Sequence, residues 1–349
     1  MKFKVDLVIP YVDSSDENWI KLYNKYNPSK LKKEDSNALN RFRGQDNFLR
    51  YLFRSIDTNL SWINNLFFIV QSYSQVPDWL DQTKIKVILH EQFIPRRFLP
   101  TFNSGTIELF LHNIKDLEEH FIYINDDFYA LSCLQPTDFF TESKVKFNVK
   151  SSNQDPKTTK SNFFQMCQNN NDLIFNKKNS IPYLRLGHEF RPYLKSKWAE
   201  CYNNYEKDIL DSLSQFRESK NLTCYLYSLY LYKINLQENS NLLVGYLSSY
   251  SGDISINRVL NNFDTICIND TDSSIDIYKN KVLNKWFHEN FPYCSKYEKG
   301  YNPKLKNKPK SKHKNKLLNS STHVVTIKTI LKSNYEFTGL PEEYWKDNF

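Results

Sequence analysis

Three short apolar runs of this chain each stop at an acid, and that pattern constrains the fold more than any other feature. Val5 to Val12 runs into Asp13-Ser14-Ser15-Asp16, Phe121 to Ile124 into Asn125-Asp126-Asp127, and Ile266-Cys267-Ile268 into Asn269-Asp270. A short, mainly apolar run of this kind reads as a strand buried on both faces, the habit of parallel sheets covered by helices. Phe48, Leu49, Leu52, Phe53 and Ile56 recur at helical spacing and predict an amphipathic helix over 46–57. Leu66 to Val70 and Lys86 to His90 read as further strands, and Phe102 to Ile114 as a helix. Strands alternating with helices predict an α/β fold: a mainly parallel sheet flanked by helices, with a helical subdomain inserted. Ligands of such sheets gather at the carboxyl ends of the strands, where these acids stand.

The chain divides into four parts on composition. Residues 1–140 carry the α/β pattern. Residues 141–185 are polar and rich in asparagine, including Asn169-Asn170-Asn171, and are expected to form an inserted loop. In 186–299, Trp198, Tyr202, Tyr205, Ile209 and Leu213 mark one helix and Leu222 to Ile234 another, before the chain returns to the sheet at Ile266. Residues 300–349 read as a basic linker and a tail, with a short strand from Val324 and aromatic residues that dock back.

Composition excludes several functions. Only 7 of the 349 residues are glycine, and neither glycine-rich phosphate-binding motif occurs, so any nucleotide must be held by side chains and a metal. The six cysteines are never closer than 23 residues, which rules out a C-x-x-C pair. The N-terminal apolar run is short and interrupted by Asp6, unlike a signal peptide. No stretch reaches the roughly 18 apolar residues of a membrane span. A reduced, cytoplasmic protein is expected. The net charge of +8 falls to +1 without the seven lysines at alternate positions from Lys304 to Lys316. A nearly neutral body argues against nucleic acid as a partner. The lysine run is either a solvated linker or a patch that holds the protein at the inner face of an anionic membrane, or at an anionic polymer.

The strand-end acids offer hard oxygen ligands for Mg²⁺ or Mn²⁺, which also bind phosphates. Asp and Asn are equally the residues of turns and helix caps, so each cluster alone has a plainer explanation. Asp46, Arg50 and Arg54 form a row on one helix face, either an exposed ion-pair ladder or guanidinium forks for phosphate. His188, in Leu186-Gly187-His188-Glu189-Phe190, and Arg217, after Gln215-Phe216, are either structural or functional on composition alone.

The residues resemble the Stealth proteins, sugar-1-phosphate transferases of bacterial capsule synthesis related to the lysosomal-enzyme N-acetylglucosamine-1-phosphotransferase of animals. A first block is similar at Asp6-Leu7-Val8-Ile9-Pro10-Tyr11-Val12-Asp13-Ser14-Ser15-Asp16, with Tyr11 in place of the family's tryptophan and Ser14 in place of its glycine. The second and most specific covers Arg50 to Ile56, Gln75 to Leu80, Leu99-Pro100-Thr101-Phe102-Asn103-Ser104 with Ile107-Glu108, and Phe121 to Asp127. A third matches at His188, Lys195-Ser196 and Phe216-Arg217, and departs from the family where Glu189-Phe190 precede Arg191-Pro192. The fourth is Ile266 to Asp270 with Phe291-Pro292 and Tyr297-Glu298.

The resemblance implies a glycosyltransferase-A-like nucleotide-sugar fold and transfer of a hexose-1-phosphate, with an N-acetylhexosamine first, from a UDP-hexose donor. The acceptor would be a saccharide or a lipid-linked oligosaccharide, and UMP would leave. By resemblance Asp126, Asp127, Asn269 and Asp270 hold the metal. His188 is the base, with an unperturbed pKa near 6.5 suited to the task. Arg50 and Arg217 clamp phosphoryl oxygens, Asp13, Asp46 and Arg54 shape the nucleotide pocket, and Asn103 and Glu108 contact the sugar or brace the site. Two rivals remain: a metal-dependent glycosyltransferase that releases UDP, and a non-catalytic polysaccharide-binding protein that stacks sugars on some of its 23 tyrosines.

Overall fold

The computed structural model describes residues 3–27, 46–152, 163–269 and 276–312. Its main sheet has the order β3-β2-β1-β4-β9. The strands are β1 (Val5–Pro10), β2 (Leu66–Val70), β3 (Lys86–Leu89), β4 (His120–Tyr123) and β9 (Arg191–Leu194). β1, β2, β3 and β4 run parallel and β9 lies antiparallel on β4. Every residue of β2 is buried, as its unbroken Leu-Phe-Phe-Ile-Val predicts for a strand covered on both faces. Asp6, wholly buried inside β1, accepts from the Asn65 amide, the Asn64 and Asn65 side chains and the Glu118 amide. Those donors tie together the segments that lead into β2 and β4, so a buried charge stays satisfied.

A second sheet, β11 (Val244–Ser248), β12 (Thr265–Asn269) and β5 (Phe128–Ala130), adjoins the first. β11 and β12 are parallel, and β5 is antiparallel to β12. The chain passes from β4 to β5 through the corner Asn125-Asp126-Asp127. The Ile268 amide in β12 donates to the Asp127 carbonyl at 2.8 Å, so both sheets hold that corner. Two small ladders complete the strands: β6 (Val145–Lys146) with β10 (Gln237–Glu238), and β7 (Val149–Ser152) with β8 (Tyr183–Leu186).

The predicted helix at 46–57 is α2 (Asp46–Asn59), after α1 (Glu17–Tyr26). It is fixed to β5 by the Asn59 side chain, which donates to the Ala130 carbonyl at 2.8 Å. The predicted Phe102–Ile114 helix is shorter, α3 (Ser104–Leu109), and a 3-10 turn follows it. A one-turn α4 spans Pro136–Phe139. Beyond it the expectation of a loop over 141–185 fails, because residues Phe163–Asn176 form α5. The polar residues that suggested a loop are used inside the protein. Gln168 exchanges bonds with both backbone groups of Leu186, the buried Asn171 reaches Cys167 and Thr223, and Asp172 and Asn169 share Arg185. An asparagine-rich helix stays buried because its amides are paired.

α6 (Lys195–Ser212) and α7 (Tyr225–Lys233) are the two helices expected after His188. Trp198 lies 4.6 Å from Tyr193 and 3.9 Å from Tyr227, ring centre to ring centre, and all three are fully buried. The aromatic excess is therefore largely core. α8 (Asp253–Asn262) and α9 (Lys281–Asn290) cover the second sheet. All six cysteines are free thiols. Among the described residues no helix is long and apolar enough to cross a membrane. The tail from Val324 lies outside the described residues.

Candidate active site

The corner between the sheets carries two adjacent carboxyls that are both raised. Burial raises the Asp126 carboxyl to about 6, and burial together with the Asp126 charge raises Asp127 to about 7. Asp127 Oδ2 accepts from the Cys267 thiol at 3.4 Å, and burial pushes that thiol up, so it stays protonated. Asp127 Oδ1 is enclosed and has no hydrogen-bond partner. A buried carboxylate oxygen without a donor is costly and asks for a cation or a proton.

Asn269, at the end of β12, donates to the Tyr246 hydroxyl at 2.7 Å. The His188 ring lies 5.3 Å from the Tyr246 ring. Asn269 and His188 thus meet across Tyr246, while Asp127 is joined to β12 through Ile268 and Cys267. The expectation of an unperturbed pKa near 6.5 for His188 is not met. Burial, with the Arg191 charge adding to it, lowers the imidazole to about 3, so it is neutral at neutral pH. It can accept a proton there, but weakly until something offsets those two causes.

Arg191 is the residue that the sequence reading missed. It pairs opposite Tyr123 in the β4–β9 register, two residues before Asn125, and is 5 % exposed. Its guanidinium lies 4.3 Å from the Tyr225 ring, Nη2 donates to the Gly187 carbonyl, and Nη1 is buried with no partner. Nearby Glu189 accepts from the amide and side chain of Asn148, and burial raises it to about 7. Nothing in the sequence places Arg191 beside β4. Only the antiparallel pairing of β9 does.

Asn103 and Glu108 brace this region. Asn103 is completely buried, caps α3 through the Gly105 amide, and donates to Asn221 and to the carbonyls of Ser214 and Phe216. It thereby holds the loop that carries Arg217, an exposed residue whose Nη2 donates to Ser104 Oγ at 3.0 Å. Glu108 accepts from the Tyr123 hydroxyl and the Cys224 amide, and the same hydroxyl is 2.7 Å from Asn125 Oδ1.

The remaining candidates lie elsewhere in the packing. Asp13 Oδ1 accepts from the amide and hydroxyl of Ser15, and Asp16 caps α1 and accepts from Ser74. That is turn and cap chemistry, on the strand next to β4. Arg54 is committed to Glu298 through Nε and Nη2, at 2.8 and 2.9 Å, and to the Phe291 carbonyl. Arg50 reaches Glu298 at 3.4 Å and stacks on Trp79. Both arginines fasten the segment after α9 to α2, and despite burial the Glu298 carboxyl is held below its ordinary range by Arg54 and by the amide and hydroxyl of Ser295. Asp270 and the Asp46 side chain lie outside the described residues.

For a divalent cation, Asp126 and Asp127 supply adjacent carboxylates, one with an unpartnered oxygen, and Asn269 an amide close by. Among the described residues no three His, Cys, Asp or Glu side chains cluster as metal ligands. The donor set present therefore fits a hard cation that keeps places for water or phosphate oxygens.

The pattern of Stealth protein CR2, conserved region 2, matches residues 41–148, which include α2, β2, β3, β4 and the acidic corner. The capsular polysaccharide phosphotransferase WcwK of Streptococcus pneumoniae is 31% identical over 337 residues, covering 84% of this chain and 99% of its own length. The capsular polysaccharide phosphotransferase SacB of Neisseria meningitidis serogroup A is 29% identical over 323 residues, covering 85% of this chain and 57% of its own length. Among solved structures, the glycosyltransferase GlyE of Streptococcus pneumoniae aligns with a TM-score of 0.32 at 11% identity, over 84% of this chain and 66% of that one, too slight a likeness to carry an argument. A mainly parallel α/β sheet with an acidic corner, matched along its length to phosphotransferases, defines a sugar-phosphate transferase. The chain belongs to the Stealth family.

Proposed function

We propose that this chain transfers a hexose-1-phosphate, with N-acetylhexosamine-1-phosphate as the first choice, from a UDP-hexose to a sugar hydroxyl in capsular or cell-surface polysaccharide synthesis. The acceptor is a saccharide or a lipid-linked oligosaccharide, and UMP is released. One observation carries the reading: the corner between the sheets encloses an unpaired oxygen of Asp127, which is bonded to the strand whose Asn269 meets the neutral His188 imidazole across Tyr246. Such a corner is poised for a metal-bound phosphate ester and an incoming hydroxyl.

Asp126, Asp127 and Asn269 would hold Mg²⁺ or Mn²⁺, which neutralises diphosphate charge when bound. Arg191 and Arg217 face the phosphoryl oxygens, where guanidinium forks suit the geometry. His188 takes the proton of the acceptor hydroxyl as its oxygen bonds to the phosphorus next to the sugar. The bond from that phosphorus to the UMP oxygen breaks, and the sugar C1–O bond is untouched. A donor phosphate seated against Arg191 offsets one cause of the low His188 basicity, so the base strengthens when substrate is present. Asn103 and Glu108 keep α3 and the Arg217 loop in place.

Incubation with a panel of UDP-hexoses and an acceptor tests the reading by chromatography of the nucleotide and ³¹P spectroscopy of the product. UMP with a phosphodiester in the product is expected. UDP with a phosphorus-free product would make this a metal-dependent glycosyltransferase.

A further inference from the structure

The lysine run expected as a linker is in its described part a strap fastened to the body. Residues 301–312 hold no helix or strand. Gly300, with φ 86°, turns the chain into it, a backbone conformation that glycine adopts without strain. The Asn307 side chain accepts from the Tyr293 amide at 3.0 Å and donates to the Tyr293 carbonyl at 2.9 Å. The Lys310 carbonyl accepts from the Cys133 amide at 2.7 Å, and its ammonium lies 4.3 Å from the centre of the Trp286 ring. Lys312 pairs with Asp138.

Between these anchors Lys304, Lys306 and Lys308 are exposed, and their ammonium groups make no ion pair or hydrogen bond among the described residues. No acid occurs from Lys299 to Lys316, so their charge is not neutralised along the chain. Apolar surface accompanies them. Of the seven large hydrophobic side chains exposed among the described residues, Tyr293 at 41%, Tyr301 at 36% and Leu305 at 46% belong to this strap and its anchor. Elsewhere such side chains are scattered or paired, as on any soluble surface. Here they gather where unpaired lysines are densest.

We propose that this strap is a docking face for an anionic lipid bilayer, with Lys304, Lys306 and Lys308 against the headgroups and Tyr301, Leu305 and Tyr293 in the interface. Cationic side chains alone would serve a polysaccharide or nucleic-acid polyanion equally well. Tyrosine and leucine beside them gain free energy only where an apolar layer lies under the charge. Fixing the strap at Asn307, Lys310 and Lys312 removes part of the ordering cost that a free tail meets on binding. None of these residues touches the acidic corner, so the inference stands apart from the reaction proposed above.

The test uses the full chain and sedimentation with vesicles of phosphatidylglycerol and phosphatidylcholine, against phosphatidylcholine alone, over a salt series. The parent binds the anionic vesicles and releases as salt rises. Lys304→Glu, Lys306→Glu and Lys308→Glu together weaken that binding by at least about a hundredfold. Tyr301→Ser with Leu305→Ser weakens vesicle binding several-fold while leaving binding to dextran sulfate unchanged. All variants keep the parent's melting temperature and its nucleotide release with a soluble acceptor, since the altered side chains are exposed. A parent that ignores anionic vesicles would overturn the proposal. So would a Ser-substituted variant that binds vesicles as well as the parent does, which would assign the strap to a soluble polyanion.

Discussion

Two loops at the ends of neighbouring parallel strands look alike in sequence and differ in physical state. After β1, Asp13 Oδ1 accepts from Ser15 and the two Asp16 oxygens accept from Asn18 and from Ser74 after β2, so the loop is closed by turn and cap bonds. After β4, Asp127 keeps an enclosed oxygen without a donor, beside a second carboxyl that is also raised. The first pair stabilises local structure. The second is held at a cost to the fold, and such a cost persists where a ligand repays it. Acid at a strand end is therefore a weak sign of function, and an unsatisfied acid there is a stronger one.

The largest expected effect is at Asp127. Asp127→Asn should reduce turnover by more than about a thousandfold, and removal of divalent cations with EDTA should do the same to the parent. Its melting temperature should hold or rise, because a raised carboxyl is neutralised. Full activity in excess EDTA would remove the metal from the contrast between the loops. His188→Ala comes next, with kcat lowered by roughly 10²–10⁴-fold and donor affinity little changed, read by initial rates and by titration calorimetry. A near-normal kcat would return His188 to a packing role against Tyr246.

A third strand end gives a pH test. His90, just after β3, is buried with both ring nitrogens unpartnered, and burial lowers it to about 4. The unfolded chain then binds the proton more readily than the folded one between about pH 6.5 and 4. Stability is full above that window and is lost as pH falls through it, by up to about 3 kcal/mol. Urea midpoints at pH 7 and pH 4.5 should show the loss, and His90→Leu should flatten the curve. Equal slopes in both proteins would place the acid sensitivity elsewhere.

Arg191→Met should cut kcat/KM by about ten- to a hundredfold while the melting temperature stays level or rises, because a buried, half-paired cation is removed. A fall in melting temperature with unchanged kcat/KM would make Arg191 a purely structural cation. The smallest effect is expected at the closed loop. Asp16→Ala removes the cap of α1 and should cost about 1 kcal/mol in denaturant unfolding, with kcat intact. A large loss of kcat there would erase the distinction between the loops.

The parts of the fold that were legible in sequence are those where one local signal suffices. The sequence predicts β2 at its observed bounds and α2 nearly so, because apolar runs and helical spacing are set by burial on that element alone. α5 was misread since its asparagines look like loop residues until their partners on Leu186, Thr223 and Arg185 are known. The same limit applies to the site. Asp126 and Asp127 stand in one run, whereas Arg191 comes opposite Tyr123 of β4 only through β9, a strand whose short Arg-Pro-Tyr-Leu gives no periodic signal. The pKa of His188 depends on Arg191 and on enclosure, and neither is written in the residues around it.

Glu298 sets a practical limit on how the enzyme can be shortened. It is 1 % exposed and binds Arg54 and Arg50, while Leu80 bridges to it and the Asp81 amide donates to the Tyr297 carbonyl. A chain that stops before this carboxylate would leave two guanidinium groups of α2 facing its vacated place, in a helix that also supports β5 and thus the acidic corner. Expression pieces designed from the matched segment 41–148 alone would carry that defect. The lower boundary of a workable fragment lies beyond residue 298, some 150 residues further along the chain than the family match suggests.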